Sequence, residues 1–170
     1  MKFGVGYYTM QSPPHKKRSH KELYAEMLEE VAMADQMGFD SAWLSEHHLL
    51  GDGYCPSLLL TAAAIAAKTK NIRIGTGVLL LPEHDPIRVA EDAAVTDLIS
   101  GGRLILGIGL GYRQEEFEAF GRTLKQRRGR MEEGIEILTK SWGDEPFSLD
   151  GKYYKLDNVN VTPKPVQKPI

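Results

Sequence analysis

The stretch Phe39-Asp-Ser-Ala-Trp-Leu-Ser-Glu-His-His48 decides the fold prediction. Its middle, Ser41 to Ser45, contains strand-forming residues and follows a glycine that marks the end of a preceding helix. Because side chains of an extended chain alternate between faces, Glu46 and His48 should share one side and His47 should point to the other. A strand that delivers a carboxylate and imidazoles at its C-terminal end is typical of α/β sheets and parallel barrels. The alternative is a solvated loop with two surface histidines.

The rest of the chain alternates strands with helices. The predicted strands are Phe3–Tyr8, Ser41–Ser45, Ile72–Leu81 and Arg103–Ile108. The first predicted helix begins at a Ser19/Glu22 capping box and ends at Gly38. The second, Leu58–Ala67, follows a Ser57 N-cap, and the third, Ile87–Ile99, follows an Asp85 N-cap and Pro86. Two more helices are predicted over Gln114–Phe120 and Gln126–Ser141. This order predicts a parallel sheet with right-handed crossovers, whose longer loops all gather at the carboxyl ends of the strands.

The end of the chain differs from this pattern. Asp150-Gly151 lies between strand-like arms within Phe147–Leu156, which predicts a β-hairpin. Val161–Ile170 carries three prolines and is expected to be an extended exit segment. We therefore expect residues 1–170 to form a single domain with four βα units and a hairpin insertion.

Composition excludes several classes of protein. With 170 residues and a net charge of −2, the chain gives no reason to expect nucleic acid or an anionic membrane as a partner. No apolar run approaches the ~18 residues of a membrane span, and the N-terminal apolar run is too short for a signal peptide. Cys55 is the only cysteine, which rules out an intrachain disulfide. A cytoplasmic protein is expected.

Two glycine-containing segments leave alternatives open. Gly107, Gly109 and Gly111 do not complete a dinucleotide-binding G-x-G-x-x-G pattern, because Tyr112 and Gln114 stand where the last glycine is needed. They indicate either a close approach of the backbone to a flat or bulky ligand or a tight turn without one. In the third strand, Gly75-Thr-Gly77 marks either a ligand contact or packing against Trp43.

A metal site is not predicted. Candidate ligands by residue type are Glu46, His47, His48, His84 and Asp85. Adjacent histidines in a strand face opposite ways, and the i, i+4 histidine pair of zinc peptidases is absent.

In combination, these motifs resemble the bacterial luciferase-like monooxygenase family of flavin-dependent TIM barrels. The matching motifs run in order through the chain: Lys2-Phe-Gly, Gly38-Phe-Asp with Trp43-Leu-x-Glu-His-His48, Ile74-Gly-Thr-Gly77 with Leu81-Pro, Pro86-x-Arg88-x-Ala-Glu-Asp92, Gly102-Arg103, Glu116-Phe-x-x-Phe-Gly121, and Val161-x-Pro-Lys-Pro-Val-Gln-Lys-Pro169. The resemblance implies an α/β (β/α)8 TIM-barrel fold, of which this chain supplies about the first four βα units.

The resemblance also implies a cofactor and a set of site residues. Relatives bind reduced FMN, or in some branches F420, at the mouth of the barrel and oxidise a small organic substrate. His47 matches the histidine that moves a proton or donates hydrogen bonds beside the flavin. The matching cofactor-binding residues are Glu46, the Gly77-Val78 peptide (a cis bond in relatives), Gly109, Tyr112, Arg113 and Arg128, the last being a phosphate contact.

The sequence departs from the family in two ways. Leu110 stands where luciferases proper have an arginine for the flavin phosphate, which argues against luciferase itself. The family barrel is roughly twice as long as this chain, so four parallel strands would have open edges. We expect a homo-oligomer or a complementary C-terminal half to complete the barrel. The alternatives are F420-dependent hydride transfer and a flavin-binding half-barrel without catalysis.

Overall fold

The computed structural model describes residues 1–170, and its centre is a four-stranded parallel sheet. The strands lie side by side in chain order. They are β1 (Gly4–Tyr8), β2 (Ser41–Leu44), β3 (Arg73–Thr76) and β4 (Leu104–Ile105). Each neighbouring pair is parallel, as the alternation of strands and helices predicts.

Five α-helices connect and follow the strands. They are α1 (His20–Gln36), α2 (Leu58–Lys68), α3 (Pro86–Ser100), α4 (Gln114–Ala119) and α5 (Arg127–Ser141). The Asp85 cap is confirmed, because its carboxylate accepts hydrogen bonds from the Ile87 and Arg88 amides. Ser19 and Ser57 are confirmed as the N-cap residues of α1 and α2, but neither side chain bonds to its helix, so the predicted Ser19/Glu22 capping box is wrong.

Strands β3 and β4 are shorter than the sequence pattern predicts. Regular pairing ends at Thr76, whose hydroxyl donates a 2.7 Å hydrogen bond to the Gly107 carbonyl. The next peptide, Gly77–Val78, is cis, and pairing beyond it is limited to one bridge between Leu79 and Ile108. The two chain segments therefore run side by side toward the mouth without forming a regular ladder.

The two faces of the sheet have different environments. Ala42, Leu44, Ile74 and Leu104 are fully buried against the helices and form part of the apolar core. The opposite face carries Trp43, flanked in register by Gly75 and Ile105. A Cβ atom at Gly75 would overlap the Trp43 ring, which supports the packing explanation for this glycine.

The hairpin and the exit segment pack onto this framework. Strand β5 (Phe147–Asp150) pairs antiparallel with β6 (Lys155–Val159), so the turn spans 151–154 and is longer than predicted. Amides of this turn donate to the Glu133 carboxylate of α5. In the exit segment, Gln167 donates from its backbone and side chain to Asp97 of α3. None of the helices combines the length and apolar character that crossing a bilayer requires.

Candidate active site

Polar side chains from three loops meet at the carboxyl ends of β2, β3 and β4. Glu46, His47 and His48 come directly after β2. Glu83 and His84 follow β3, and Tyr112 and Glu116 follow β4. All of these groups except Glu83 belong to two connected hydrogen-bond networks, one around Glu46 and one around His47.

Glu46 is the centre of the first network. It is only 2% exposed. Its Oε1 accepts from His48 Nε2 at 3.1 Å and His84 Nε2 at 2.9 Å, and its Oε2 accepts from the Leu80 amide at 2.5 Å. Burial alone would raise the Glu46 pKa, but bonds from His48, His84 and Leu80 outweigh it and lower the pKa to about 2. Glu46 and His48 therefore share one side, as the strand alternation predicts.

The same three side chains have the spacing of a metal site. Their ligand atoms all lie within 4.8 Å of one another. Both Glu46 oxygens already accept hydrogen bonds, and each Nε2 of His48 and His84 is directed at Oε1. A cation would have to displace these imidazole protons, because a metal ligand must present a lone pair. The hydrogen bonds account for the arrangement, and we assign no metal ligands here.

His47 points to the other side and belongs to the second network. Its Nδ1 lies 3.1 Å from Glu116 Oε1, and its Nε2 lies 3.3 Å from the Tyr112 hydroxyl. The edge of the ring also packs against Tyr54, with ring centroids 4.9 Å apart. The side chain is 17% exposed, so it is held on several sides but still reaches solvent.

Two buried carboxyl groups lie behind His47. Glu116 is fully buried, and its Oε1 also accepts from the His48 amide at 2.8 Å. Both Glu83 oxygens are buried without a hydrogen-bond partner. Burial is the main cause that raises the Glu83 pKa to about 7, and the negative charge of Glu116 adds to it.

The sequence interpretation did not assign a role to Glu116, Glu83 or His84. Glu116 appears in the Glu116-Phe-x-x-Phe motif, and it precedes Phe117, which is fully buried. Its place beside Phe117 is no signal of burial, because neighbouring positions of a helix do not share a face. Its partner at His47 is 69 positions away, and spacing alone could not identify it.

Several of the predicted flavin residues lie on the partly open loops that follow β3 and β4. The Gly77–Val78 peptide is cis, and Val78 is half-exposed. A Cβ atom at Gly109 would overlap the Val78 side chain, so these two segments are in close contact. Tyr112 is 70% exposed, and its hydroxyl lies 3.3 Å from His47 Nε2.

The two predicted arginines differ in their surroundings. Arg113 is half-buried, and its Nη1 lies 3.9 Å from Glu116 Oε1. Arg128, in the first turn of α5, has a side chain that is 85% exposed and pairs with Glu132 on the same helix. The structure shows no contact between Arg128 and the His47 network.

The chain is similar to a known protein family, to curated relatives and to solved structures. The family model described as luciferase-like monooxygenase matches residues 1–170. The oxygenase component of the flavin-dependent trigonelline monooxygenase of Acinetobacter baylyi is 34% identical over 155 residues, which are 90% of this chain and 43% of that protein. An F420-dependent glucose-6-phosphate dehydrogenase of Amycolatopsis mediterranei is 32% identical, over 84% of this chain and 45% of that protein.

Solved structures agree with this relationship. The monooxygenase RslO1 from Streptomyces bottropensis superposes with a TM-score of 0.92 at 31% identity, covering 99% of this chain and 51% of that one. The oxygenating constituent of 3,6-diketocamphane monooxygenase from Pseudomonas putida, in complex with FMN, gives 0.83 at 30% identity, covering 92% and 43%. The chain thus spans about half the length of the relatives it matches, and its sheet corresponds to half of a TIM barrel, as predicted. With its parallel βα units matched over all 170 residues, this chain belongs to the luciferase-like monooxygenase family.

Proposed function

We propose that this chain binds reduced FMN at the carboxyl ends of its strands and serves in the oxygen-dependent oxidation of a small organic substrate. The observation that carries the proposal is the position of His47. Its Nε2 lies 3.3 Å from the hydroxyl of the exposed Tyr112, and the His47 side chain still reaches solvent. The named activities of the flavin-dependent relatives support the choice of cofactor and reaction class.

Each site residue has a proposed task. Bound flavin would supply the electrons and the site at which oxygen is activated. His47 accepts or returns a proton through Nε2, which the imidazole can do near neutral pH. Val78 and the backbone at Gly77 and Gly109 provide a flat apolar surface for the ring. Tyr112 orients Nε2 of His47.

The charged residues have two different proposed tasks. Arg113 and Arg128 are available for a flavin phosphate, because a guanidinium offers several donors in a planar fork. Glu46 is proposed to act indirectly. With both carboxylate oxygens occupied, it holds the Leu80 backbone and the two imidazoles around the mouth rather than contacting the flavin.

F420 is the alternative cofactor, and the F420-dependent glucose-6-phosphate dehydrogenase of Amycolatopsis mediterranei supports it. Visible absorbance of the purified protein, titrated separately with FMN and F420, distinguishes the two. Binding of FMN together with oxygen-dependent turnover supports the proposal. Anaerobic turnover with F420 and none with FMN would replace the monooxygenase with a hydride-transfer enzyme.

The catalytic part of the proposal is tested with His47→Ala. The substitution removes the proton-transfer group and leaves Val78, Gly109 and the phosphate-binding arginines in place. We expect flavin binding to persist and turnover to fall at least ~100-fold, the usual contribution of a general acid or base. A non-catalytic flavin-binding protein is indicated if the parent chain binds flavin and has no oxygen-dependent turnover to lose.

We also propose that residues 1–170 form one domain that is completed by a second set of strands, either a complementary C-terminal half or a second copy. The exposed Tyr7 and Phe3, the partly exposed Trp43 face and the unpaired edges of β1 and β4 support this. Gel filtration with light scattering tests it. A homo-oligomer, or a complex with a separately expressed C-terminal half, is expected. A soluble monomer that binds no apolar dye and no such half would contradict it.

A further inference from the structure

We infer that Glu116 is a positioning residue that holds neutral His47 in the tautomer with its proton on Nδ1, so that Nε2 presents a lone pair to the mouth. The inference deepens the proposed function and depends on it for its catalytic meaning. It concerns a contact between the loop after β2 and helix α4, made by two residues that are 69 positions apart in the chain.

The first step is the direction of the hydrogen bond. An ionised carboxylate accepts hydrogen bonds and donates none. Glu116 Oε1 lies 3.1 Å from His47 Nδ1, so that nitrogen must carry the proton. The identity of the donor nitrogen is thereby set by the partner of the ring, as in other histidine–carboxylate pairs.

The second step is that Glu116 Oε1 acts as an acceptor for a second, unambiguous donor. The same oxygen accepts from the His48 amide at 2.8 Å, and the Arg113 guanidinium lies 3.9 Å away. The other oxygen, Oε2, is buried without a hydrogen-bond partner, so the carboxyl group makes its hydrogen bonds through Oε1 alone. Because one oxygen binds adjacent residues through a side chain and a backbone amide, it fixes both the ring and the strand end that carries it.

The third step is the consequence for Nε2. With the proton on Nδ1, Nε2 of the neutral ring is an acceptor, and the Tyr112 hydroxyl lies 3.3 Å from it. Tyr112 is an exposed residue that a bound molecule can displace. The nitrogen that faces the mouth is therefore ready to accept a proton. The other tautomer would carry Nε2–H and could only donate.

The tautomer can be measured without flavin or substrate. The full chain labelled with 15N is studied at pH 8.5 by long-range proton–nitrogen correlation, which separates protonated from unprotonated ring nitrogens. The His47→Gln variant identifies the signals of His47. We expect a protonated Nδ1 and an unprotonated Nε2. A wild-type spectrum with the proton mainly on Nε2 overturns the inference.

Variants of the carboxylate make the test specific. Glu116→Ala is expected to turn the Nδ1–H form from the dominant tautomer into a minor one. Glu116→Gln should restore it, because its amide oxygen can accept from both His47 and His48. Glu115→Ala, an exposed neighbour on α4, is the matched control and should leave the tautomer unchanged. An unchanged Nδ1–H form in Glu116→Ala would show that Glu116 does not set it.

Two further measurements distinguish failure of the positioning role from a folding defect and from failure of the proposed function. If Glu116→Ala does not fold, Tyr112→Phe and Glu116→Gln are used to test what sets the His47 tautomer. Both variants should keep the proton on Nδ1. A switch to Nε2–H in a folded Glu116→Gln variant overturns the inference. Flavin titration of the wild-type chain is scored independently. The predicted tautomer without flavin binding refutes the proposed function alone, and flavin binding with the opposite tautomer refutes the positioning role alone.

Discussion

Replacing Glu83 with glutamine should make the protein more stable at alkaline pH. Glu83 is 2% exposed, and neither carboxylate oxygen has a hydrogen-bond partner. Burial is the larger cause of its raised pKa, and the charge of Glu116 is the next. The substitution removes the ability to ionise while nearly preserving the shape of the protonated side chain.

The sign of the effect follows from proton binding in the two states. Between the ordinary pKa of 4.5 and the folded value of about 7, the unfolded chain has released the Glu83 proton and the folded chain still holds it. Folding stability contributed by this group therefore falls as pH rises through that window and levels off above it. Each pKa unit corresponds to about 1.4 kcal/mol, so ionised Glu83 costs the folded state roughly 3 kcal/mol.

Urea unfolding at pH 5 and pH 8 measures this cost. At pH 5 we expect Glu83→Gln to exceed the wild-type stability by only about 1 kcal/mol, and at pH 8 by roughly 3 kcal/mol. Glu145→Gln is the control, because Glu145 is exposed in a loop and the same chemical change there should have no pH-dependent effect. A difference between Glu83→Gln and wild type that is equal at the two pH values would refute the reasoning.

Three further predictions concern the framework of the site. Gly107→Ala should lower the free energy of unfolding by about 1–3 kcal/mol in urea melts, because the added Cβ would overlap the last carbonyl oxygen of β3; Gly51→Ala, with open space around it, should have little effect. Arg103→Lys should lower the free energy of unfolding by about 2 kcal/mol, since the guanidinium bonds to four backbone carbonyls and a hydroxyl. Arg73→Lys is the exposed control, and an equal loss of stability in both variants would contradict the prediction. Burial would raise the pKa of Asp35, but hydrogen bonds from three backbone amides and the Arg103 charge lower it. Asp35→Asn should therefore lower the free energy of unfolding by about 1–2 kcal/mol at pH 7. The difference from wild type should shrink as pH falls below 3.8.

The parts of the fold that depend on local pattern could be predicted from the sequence. The alternation of apolar strands with amphipathic helices predicted the parallel sheet, and Asp85-Pro86 predicted the start of α3. Ser19 and Ser57 correctly marked the starts of α1 and α2, although neither makes a side-chain capping bond. A serine hydroxyl can also bond to other groups or to water, so its presence favours a helix start without determining the bond.

The ends of β3 and β4 could not be predicted for a physical reason. Strand-forming residues continue past Thr76 and Ile105, and composition alone gives no signal that pairing stops. The ladder ends where the Thr76 hydroxyl takes the Gly107 carbonyl as its acceptor. Which acceptor a hydroxyl uses depends on the neighbouring strand, and that information is absent from a local window.

In the candidate site, too, local pattern predicted some features, whereas contacts between distant parts of the chain determined others. Alternation along β2 correctly placed Glu46 and His48 on one side, because this depends only on the extended backbone. The partners of Glu46 and His47 come from distant parts of the chain: His84 bonds to Glu46, and Glu116 of α4 bonds to His47. Long-range pairings of this kind require the topology to be known before the side chains can be assigned.

The histidine hydrogen-bond network and the surface proposed for the flavin differ in how completely residues 1–170 enclose them. Every hydrogen bond around Glu46 and His47 comes from loops of the first four βα units, so the orientation of both side chains is determined within residues 1–170. The surface proposed for the flavin ring is only partly covered, since Val78 and Tyr112 remain exposed to solvent. An imidazole held in this way should keep its tautomer in the isolated chain, whereas flavin affinity should rise when further strands cover the open side. The histidine network and the cofactor pocket are therefore separable in experiment, and a complementary half that tightened flavin binding while leaving the His47 tautomer unchanged would demonstrate it.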